Sequence, residues 1–260
     1  LMIPVKERVQ VLFRFKSLLE KNILELSELI RLENGKTLTE ARAEIEKGIE
    51  VLEFATSFPQ IYDQEKLEVS AGVDCESKRL PLGVVLSITP FNFPAMVPMW
   101  FFPIALAAGN AVVLKPSDTT PASTVWMAEL MAEYLPNGVF NVICGDRETG
   151  KNLVEHVTPS MVSITGSVRA GIEVAKSAAT DVKRVHLELG GKAPVVVFAD
   201  ANLEAAAEGI AIAGYFNAGQ DCTAATRVIV EESAYDKFVA LLAEQAKGIK
   251  TGAQIGRAHV

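Results

Sequence analysis

Residues 161–179 read MVSITGSVRAGIEVAKSAA, and this stretch decides the fold class. Its first five residues are mostly apolar and partly β-branched, as is typical of a strand buried on both faces. The glycine-containing junction Thr165–Gly171 follows, and the residues from Gly171 to Ala179 indicate a helix. A strand that passes through a glycine turn into a helix is the unit from which parallel α/β sheets are built.

The same alternation continues on both sides of this unit. Short apolar runs predict further strands, and helical stretches separate several of them. The sequence therefore predicts an α/β fold with a doubly wound parallel sheet, whose ligands bind beyond the carboxyl ends of the strands. The predicted strands are Gly83–Thr89, Ala111–Lys115, Val139–Cys144, Met161–Thr165 and Ala193–Phe198, and the predicted helices are Val97–Ala108, Ala122–Tyr134, Gly171–Ala179, Leu203–Phe216 and Ala234–Gly248.

The N-terminal region has a helical pattern instead. Apolar spacing predicts one helix from about Val5 to Glu33 and a second from Thr37 to about Ser57, while Leu67–Lys78 favours strand. The charged side chains expected on the solvent-exposed side of the second helix are Glu40, Glu44 and Lys47.

The composition is that of an ordinary globular protein. The 260 residues are 49% hydrophobic and 22% charged, and the net charge of −7 argues against binding to nucleic acid or to an anionic membrane. No apolar run reaches the roughly 18 residues that span a bilayer, and Leu1 begins no signal-peptide pattern. The cysteines Cys75, Cys144 and Cys222 are too few and too scattered for a disulfide framework or a metal site, so we expect a reducing, cytoplasmic compartment and no metal.

Two loops that follow predicted strands carry groups suited to a ligand. Asn92, in the Pro-rich turn Thr89–Pro94, could aim an amide N–H at a developing negative charge, or could simply form an Asx turn. Lys115 ends a strand and could present its ammonium to ribose hydroxyls or phosphate, or could be a surface cation. The residues alone leave both alternatives open in each case.

Two more motifs suggest a dinucleotide and a nucleophile. Free N–H groups at the helix start after Gly166 would attract a pyrophosphate, although glycines at such turns are common. Glu188 and Cys222 lie in the glycine-rich runs at residues 188–192 and 219–223. A thiol nucleophile with a carboxylate base can form and then hydrolyse a thioester, although an isolated cysteine is more often a small buried hydrophobe.

Five ordered motifs resemble the aldehyde dehydrogenase superfamily: PFNFP (residues 90–94), LKPSDTTP (114–121), ITGSVRAG (164–171), LELGGKAPVVVF (187–198) and FNAGQDC (216–222). The resemblance implies NAD(P)-dependent oxidation of a small-molecule aldehyde. It makes Cys222 the nucleophile, Glu188 the general base and Asn92 the oxyanion-stabilising amide. Cys75 and Cys144 match no functional position and are expected to be structural.

The resemblance also implies a cofactor site. Lys115 takes the position that binds the adenine ribose, and Asp118 stands where many NAD-using relatives have Glu, which favours NAD and leaves NADP possible. Phe91 replaces a frequent Trp in its turn. The expected cofactor-binding residues are Thr89, Pro90, Phe91, Lys115, Ser117, Asp118, Gly166, Ser167, Gly171 and Leu189.

In domain terms, the resemblance implies a Rossmann-like NAD(P)-binding domain in residues 1–189, incomplete at its N-terminus, and the start of an incomplete α/β catalytic domain in residues 190–254. Residues 67–79 would form a strand of the oligomerisation type, and a homodimer or homotetramer is expected of the full-length enzyme. The superfamily's members are much longer, so truncation at both ends is expected. Residues 255–260 resemble a translated sequencing adapter and are expected to be an artefact.

Two branches of the superfamily compete. PFNFPAMVPMWFFPIALAAGN (residues 90–110) resembles methylmalonate-semialdehyde dehydrogenases, which pass the acyl group to coenzyme A and typically lack the base glutamate. GYFNAGQDCTAATR (residues 214–227) resembles aminobutyraldehyde and betaine-aldehyde enzymes. Because Glu188 is present, we expect water to release the acid, with coenzyme A acylation or an inactive piece of such an enzyme as the alternatives. Retention of Cys222, Glu188, Asn92 and Lys115 argues against a non-enzymatic relative.

Overall fold

The computed structural model describes residues 3–62, 64–250 and 252. Over these residues the chain forms an α/β fold, in which four helices come first and strands alternate with helices from Val84 onward. The helices are α1 (Val5–Lys21), α2 (Ile23–Asn34), α3 (Leu38–Thr56), α4 (Phe58–Ile61), α5 (Met96–Ala107), α6 (Ala122–Ala132), α7 (Arg147–Glu155), α8 (Val168–Ala179), α9 (Leu203–Tyr215) and α10 (Tyr235–Gly248). The strands are β1 (Glu65–Ser70), β2 (Val73–Ser77), β3 (Val84–Ile88), β4 (Ala111–Lys115), β5 (Phe140–Val142), β6 (Pro159–Gly166), β7 (Arg184–Leu189), β8 (Pro194–Val197) and β9 (Arg227–Val230).

A five-stranded sheet with the order β5-β4-β3-β6-β7 organises the larger part of the molecule, and all its neighbouring strands are parallel. The chain runs from β3 outward through β4 to β5, and then returns to place β6 on the other side of β3. Such a reversal opens a crevice beyond the carboxyl ends of the two central strands. The predicted α/β class and parallel sheet are confirmed, and the crevice lies between the loops that follow β3 and β6.

Helices cover both faces of this sheet, so it is doubly wound. On one face the sheet contacts α5 and α6, which pack in turn against α1, α2 and α3. The ring of Phe102 lies in this core, 5.7 Å from the Phe15 ring and 4.7 Å from the Phe140 ring. The other face packs against α7 and α8 through side chains such as Val154 and Val174. Burial on both faces explains why the central strands are continuous apolar runs.

The N-terminal helices differ from the prediction in two ways. The single helix expected from Val5 to Glu33 is two helices, interrupted at Asn22, whose side-chain amide donates to the Leu18 carbonyl at 2.8 Å. The exposure expected for Glu44 is wrong, since that side chain is buried. The helix expected over 37–57 is confirmed as α3, which begins with a capping box between Thr37 and Glu40.

Two smaller units complete the described chain. β1 and β2 form an antiparallel hairpin in which every strand residue is exposed. This hairpin covers most of the segment Leu67–Lys78, for which the sequence favoured strand. β8 and β9 pair in parallel as a separate sheet under α9 and α10, around Val197 and Phe238. The boundary at residues 189 and 190 and the oligomerisation role of 67–79 stay predictions. Residues 255–260 lie outside the described residues, and none of the described helices is both long and apolar enough to cross a bilayer.

Candidate active site

One large cavity, of about 1700 Å³, opens at the carboxyl ends of β3, β4, β6 and β7. Parallel strands present their carboxyl ends along one edge, so loops distant in the sequence meet there. Twelve of the thirteen predicted site residues line this cavity, and Gly171 does not. The twelve are Thr89, Pro90, Phe91, Asn92, Lys115, Ser117, Asp118, Gly166, Ser167, Glu188, Leu189 and Cys222.

The Asn92 side chain reaches across the cavity to the nucleophile loop. Its amide Nδ2 donates to the Gln220 carbonyl at 2.9 Å, two residues before Cys222. It therefore does not form the local Asx turn that the sequence left open. An asparagine amide carries two N–H donors, so one hydrogen bond to Gln220 orients the group and leaves the second N–H for another acceptor.

The thiol of Cys222 is half-buried, forms no disulfide and lies beside carboxylates. Burial raises the pKa of this thiol, and the negative charges of Asp221 and Glu188 raise it further. The two glycine-rich runs also lie close together, since a Cβ placed on Gly191 would be 3.6 Å from the Cys222 carbonyl oxygen. The structure thus places a candidate nucleophile near a candidate base, whose negative charge opposes ionisation of the thiol.

Lys115 is buried, which excludes the surface cation that the sequence left open. Its ammonium donates to the carbonyls of Pro116 and Gly145, each at 2.7 Å. Desolvation lowers the pKa of this lysine, and the nearby Asp118 and Asp146 oppose that shift. An ammonium has three N–H donors, so one remains for a hydroxyl or phosphate oxygen in the cavity.

The junction after β6 supplies backbone donors and a packing contact. Ser167 caps α8 by accepting from the Ala170 N–H at 3.2 Å, and the other N–H groups of the first turn remain as ligand donors. Gly171 lies on α8 against β7, where a Cβ would come within 2.6 Å of the Leu189 Cδ2. Its place is therefore in close helix–strand packing, away from the cavity surface.

The groups along this edge fit a dinucleotide. The Thr89 hydroxyl is buried at the cavity wall, and among the described residues it has no hydrogen-bond partner. Together with the third N–H of Lys115 and the start of α8, it forms a donor set for ribose hydroxyls and phosphate oxygens. No group of three His, Cys, Asp or Glu side chains suited to a metal occurs among the described residues.

A comparison of the sequence with known protein families identifies the family to which this site belongs. The model for the aldehyde dehydrogenase family matches residues 2–259. The chain belongs to the aldehyde dehydrogenase family.

Individual family members give the same answer. Malonate-semialdehyde dehydrogenase 2 of Oceanobacillus iheyensis is 44% identical over 253 residues, which cover 96% of this chain and 52% of that protein. The crystal structure of an NAD-dependent aldehyde dehydrogenase from Sinorhizobium meliloti aligns with a TM-score of 0.93 at 36% identity, over 98% of this chain and 52% of that one. A methylmalonate-semialdehyde dehydrogenase from Oceanimonas doudoroffii aligns with a TM-score of 0.94 at 36% identity, over 97% and 52%. The chain spans about half the length of the curated relatives it matches.

Behind the Asn92 turn of this aldehyde dehydrogenase chain lies a buried ion pair that the sequence analysis missed. The Lys36 ammonium and the Glu44 carboxylate are 2.5 Å apart, with side chains 1% and 0% exposed. Lys36 also donates to the Asn92 carbonyl at 2.8 Å, and its ammonium lies 4.4 Å from the centre of the Phe93 ring. Glu44 accepts from the N–H groups of the next two residues after that turn, Ala95 and Met96, at 2.8 and 3.0 Å. The pair therefore fixes the turn from below.

Asn217 is a second residue that sequence reasoning missed. It is 2% exposed and has the left-handed backbone conformation, with φ of 54°, as does Ala218 after it. Asparagine tolerates that region better than most residues, and the Asn-Ala-Gly run before the cysteine was the available signal. Its hydrogen bonds connect the Asn92 turn, the loop before Cys222 and the start of α3.

Proposed function

We propose that the protein oxidises an aldehyde to a carboxylic acid with NAD(P)⁺ by way of a thioester on Cys222. The observation that carries the proposal is the meeting of the Cys222 thiol, the Glu188 carboxylate and the Asn92 amide at one cavity. Family membership supports the same chemistry. Thiol, carboxylate and amide suit nucleophilic attack, water activation and oxyanion stabilisation respectively.

In the first step the sulfur of Cys222 adds to the aldehyde carbon as its proton passes to solvent water, and the carbonyl oxygen becomes a thiohemiacetal oxyanion. The second N–H of Asn92 and the Cys222 backbone N–H would hold that oxygen. Losing one such donor typically slows a reaction by about 100- to 1000-fold. Because burial and neighbouring carboxylates raise the pKa of the thiol, we expect attack to accelerate with rising pH.

Bound NAD(P)⁺ would supply the acceptor for the hydride that leaves the aldehyde carbon. Lys115, Thr89 and the first turn of α8 would bind its ribose and phosphate oxygens. The exposed carboxylate of Asp118 would accept a hydrogen bond from a ribose 2′-hydroxyl and repel a 2′-phosphate, which favours NAD.

The Asp118 assignment has its own test. Asp118→Asn removes the negative charge, so affinity for NADP should rise relative to NAD when both are titrated by calorimetry. Equal affinity ratios in the parent and the variant would refute this role.

In the last step Glu188 would take a proton from water, whose oxygen attacks the thioester carbon. The carboxylic acid leaves and the sulfur of Cys222 recovers a proton. General base catalysis of this kind is typically worth about 100- to 10,000-fold. Glu188 and Cys222 thus act at different steps, so their variants should fail differently.

The similar proteins support a substrate class, and they leave coenzyme A as an alternative acyl acceptor to water. Eight similar curated proteins are named malonate-semialdehyde dehydrogenases, which supports a short semialdehyde that carries a carboxylate. The methylmalonate-semialdehyde branch that residues 90–110 resemble transfers its acyl group to coenzyme A. Glu188 beside the thiol supports water instead. Adding coenzyme A to the reaction and looking for the acyl thioester by mass spectrometry separates the two acceptors.

The decisive experiment follows both NADH and the covalent state of Cys222 with malonate semialdehyde as the probe. The parent should form NADH continuously, and Cys222→Ala should form none. Glu188→Gln should give a burst of NADH and accumulate an acyl group on the Cys222 peptide, because release is slowed. A normal steady-state rate in Glu188→Gln would overturn the base assignment, and NADH formation by Cys222→Ala would overturn the thioester route.

A further inference from the structure

We propose that Asn217 is a positioning residue that sets the distance between the oxyanion amide and the nucleophile. This inference rests on the proposed function and deepens it. Asn217 lies between the turn that carries Asn92 and the loop that carries Cys222. Its side chain donates hydrogen bonds to the Asn92 carbonyl in the turn and to the Gln220 carbonyl in the loop.

The side-chain amide of Asn217 makes the connection. Its Nδ2 donates to the Asn92 carbonyl at 3.0 Å and to the Gln220 carbonyl at 3.0 Å. The Gln220 carbonyl also accepts from the Asn92 amide at 2.9 Å, so these three residues close a ring of hydrogen bonds. The opposite orientation of the Asn217 amide would direct its oxygen at two carbonyl oxygens, so the acceptors fix the donor role.

The backbone of Asn217 is held independently of its side chain. Its N–H donates to the Glu40 Oε1 at 2.8 Å, while the other oxygen of that carboxylate accepts from the Thr37 N–H at 3.0 Å in the capping box of α3. Asn217 is thereby bound to the N-terminal helices and to both halves of the proposed active site.

The backbone conformation of Asn217 supports a role in directing the path of the nucleophile loop rather than in filling the core. A non-glycine residue with φ of 54° is uncommon, and the next residue, Ala218, has φ of 58°. Two successive left-handed residues turn the chain sharply just before Gly219 and the nucleophile loop. Such local strain persists where surrounding contacts enforce it, and here the enforcing contacts come from the Asn217 amide and N–H.

The arrangement has a definite consequence for Cys222. With the ring of hydrogen bonds intact, the Gln220 carbonyl faces Asn92, and the thiol is held half-buried beside Glu188 and Asp221. Removing the Asn217 side chain would release the loop towards solvent. The thiol would then lose part of the desolvation that suppresses its ionisation, while Asn92 would lose its fixed distance to the sulfur.

The test measures alkylation of Cys222 by iodoacetamide as a function of pH in Asn217→Gly. Glycine accepts the left-handed conformation, so only the side-chain bonds are lost. Mass spectrometry of the individual peptides uses the exposed thiols Cys75 and Cys144 as references within each sample. The matched control is Asn141→Gly, which removes an amide that likewise donates to two carbonyls, those of Val112 and Gly138, away from the cavity.

In Asn217→Gly the midpoint of the Cys222 profile should fall, and alkylation near neutral pH should accelerate by about threefold or more relative to the two references. The control should leave the Cys222 profile unchanged at a comparable loss of thermal stability. A profile identical to the parent in Asn217→Gly, or an equal shift in Asn141→Gly, would overturn the proposal. Should Asn217→Gly fail to fold, Asn217→Asp replaces it, since aspartate keeps the size and the tolerance for a left-handed backbone. A carboxylate cannot donate to the Asn92 and Gln220 carbonyls, so the rate of Cys222 alkylation at its high-pH plateau must exceed that of the parent.

Kinetics on the same variants separate this proposal from the proposed function. Displacing the oxyanion amide should lower kcat for aldehyde oxidation in Asn217→Gly and leave KM nearly unchanged. If the parent forms no NADH, the proposed function fails while the alkylation comparison still decides the role of Asn217.

Discussion

Removing the Lys36 ammonium tests how strongly the N-terminal helices support the active-site turn. Lys36→Met keeps a side chain of similar length but leaves the Glu44 carboxylate, which is fully buried, without its cation. The two backbone N–H donors of Ala95 and Met96 remain. They offset part of the charge but directly follow the Asn92 turn, so the turn and the carboxylate should be destabilised together.

The size of the effect follows from burial. Breaking a buried ion pair by removing one partner typically costs about 3–5 kcal/mol, because an uncompensated charge stays in the interior. For a chain of this length each kcal/mol lowers Tm by about 2–4 °C, so we expect a decrease of about 6–20 °C. The double variant Lys36→Met/Glu44→Gln should recover much of this loss, since no buried charge remains.

The pH dependence gives a second signature. Burial raises the pKa of Glu44 above its unfolded value, and loss of Lys36 raises it further. A carboxyl group with a raised folded pKa contributes its stability below the unfolded pKa and loses it as pH rises through the folded pKa. The deficit of Lys36→Met against the parent should therefore shrink in acid and grow towards neutral pH.

Urea unfolding followed by the fluorescence of Trp100 and Trp126 measures these differences. The matched control is Lys47→Met on α3, the helix that carries Glu44. It breaks the ion pair between Lys47 and Glu50 at 2.8 Å, whose side chains are 66% and 61% exposed. That variant should unfold like the parent, since exposed pairs contribute little. The reasoning is refuted if Lys36→Met unfolds at the same urea concentration as this control.

Two further variants test the site. Gly171→Ala places a Cβ 2.6 Å from the Leu189 side chain and should lower the free energy of unfolding by about 1–3 kcal/mol, measured in urea. Gly190→Ala is the control, because a Cβ there meets open space and should cost less stability. Equal losses of stability in the two variants would contradict the packing role of Gly171. Glu188→Gln removes a negative charge near Cys222, so the pKa of the thiol should fall and iodoacetamide should react faster near neutral pH, and a slower reaction would show that the carboxylate does not act on the thiol electrostatically.

The sheet and most of the cavity wall could be predicted from the sequence because their signals are local. Runs such as MVSIT are apolar over a strand's length, and parallel strands bring their carboxyl ends together whatever the loops contain. The strand β7, Arg184–Leu189, was missed because it lies at the sheet edge and alternates polar and apolar residues. The break at Asn22 was missed because the apolar spacing continues across it, from Leu19 to Ile23 and Leu26.

The interactions behind the site could not be predicted because their partners are distant in the sequence. Glu44 has helical spacing typical of a solvated face, and only the fold shows that α5 and its preceding turn cover it. Lys36 likewise resembles a surface charge near a helix start. Asn217 lies inside a recognised motif, but its partners, Asn92 and Glu40, lie more than a hundred residues earlier.

The hydrogen bond from the Asn217 N–H to Glu40 joins residues 177 positions apart. Contacts of such high sequence separation form late, since a long loop must close before they yield any stabilisation. During synthesis the first helices are complete long before Cys222 emerges, so we expect the reactive thiol to stay in an open, unshielded loop until that contact closes. The order of folding would then decide when this cysteine becomes most vulnerable to oxidation.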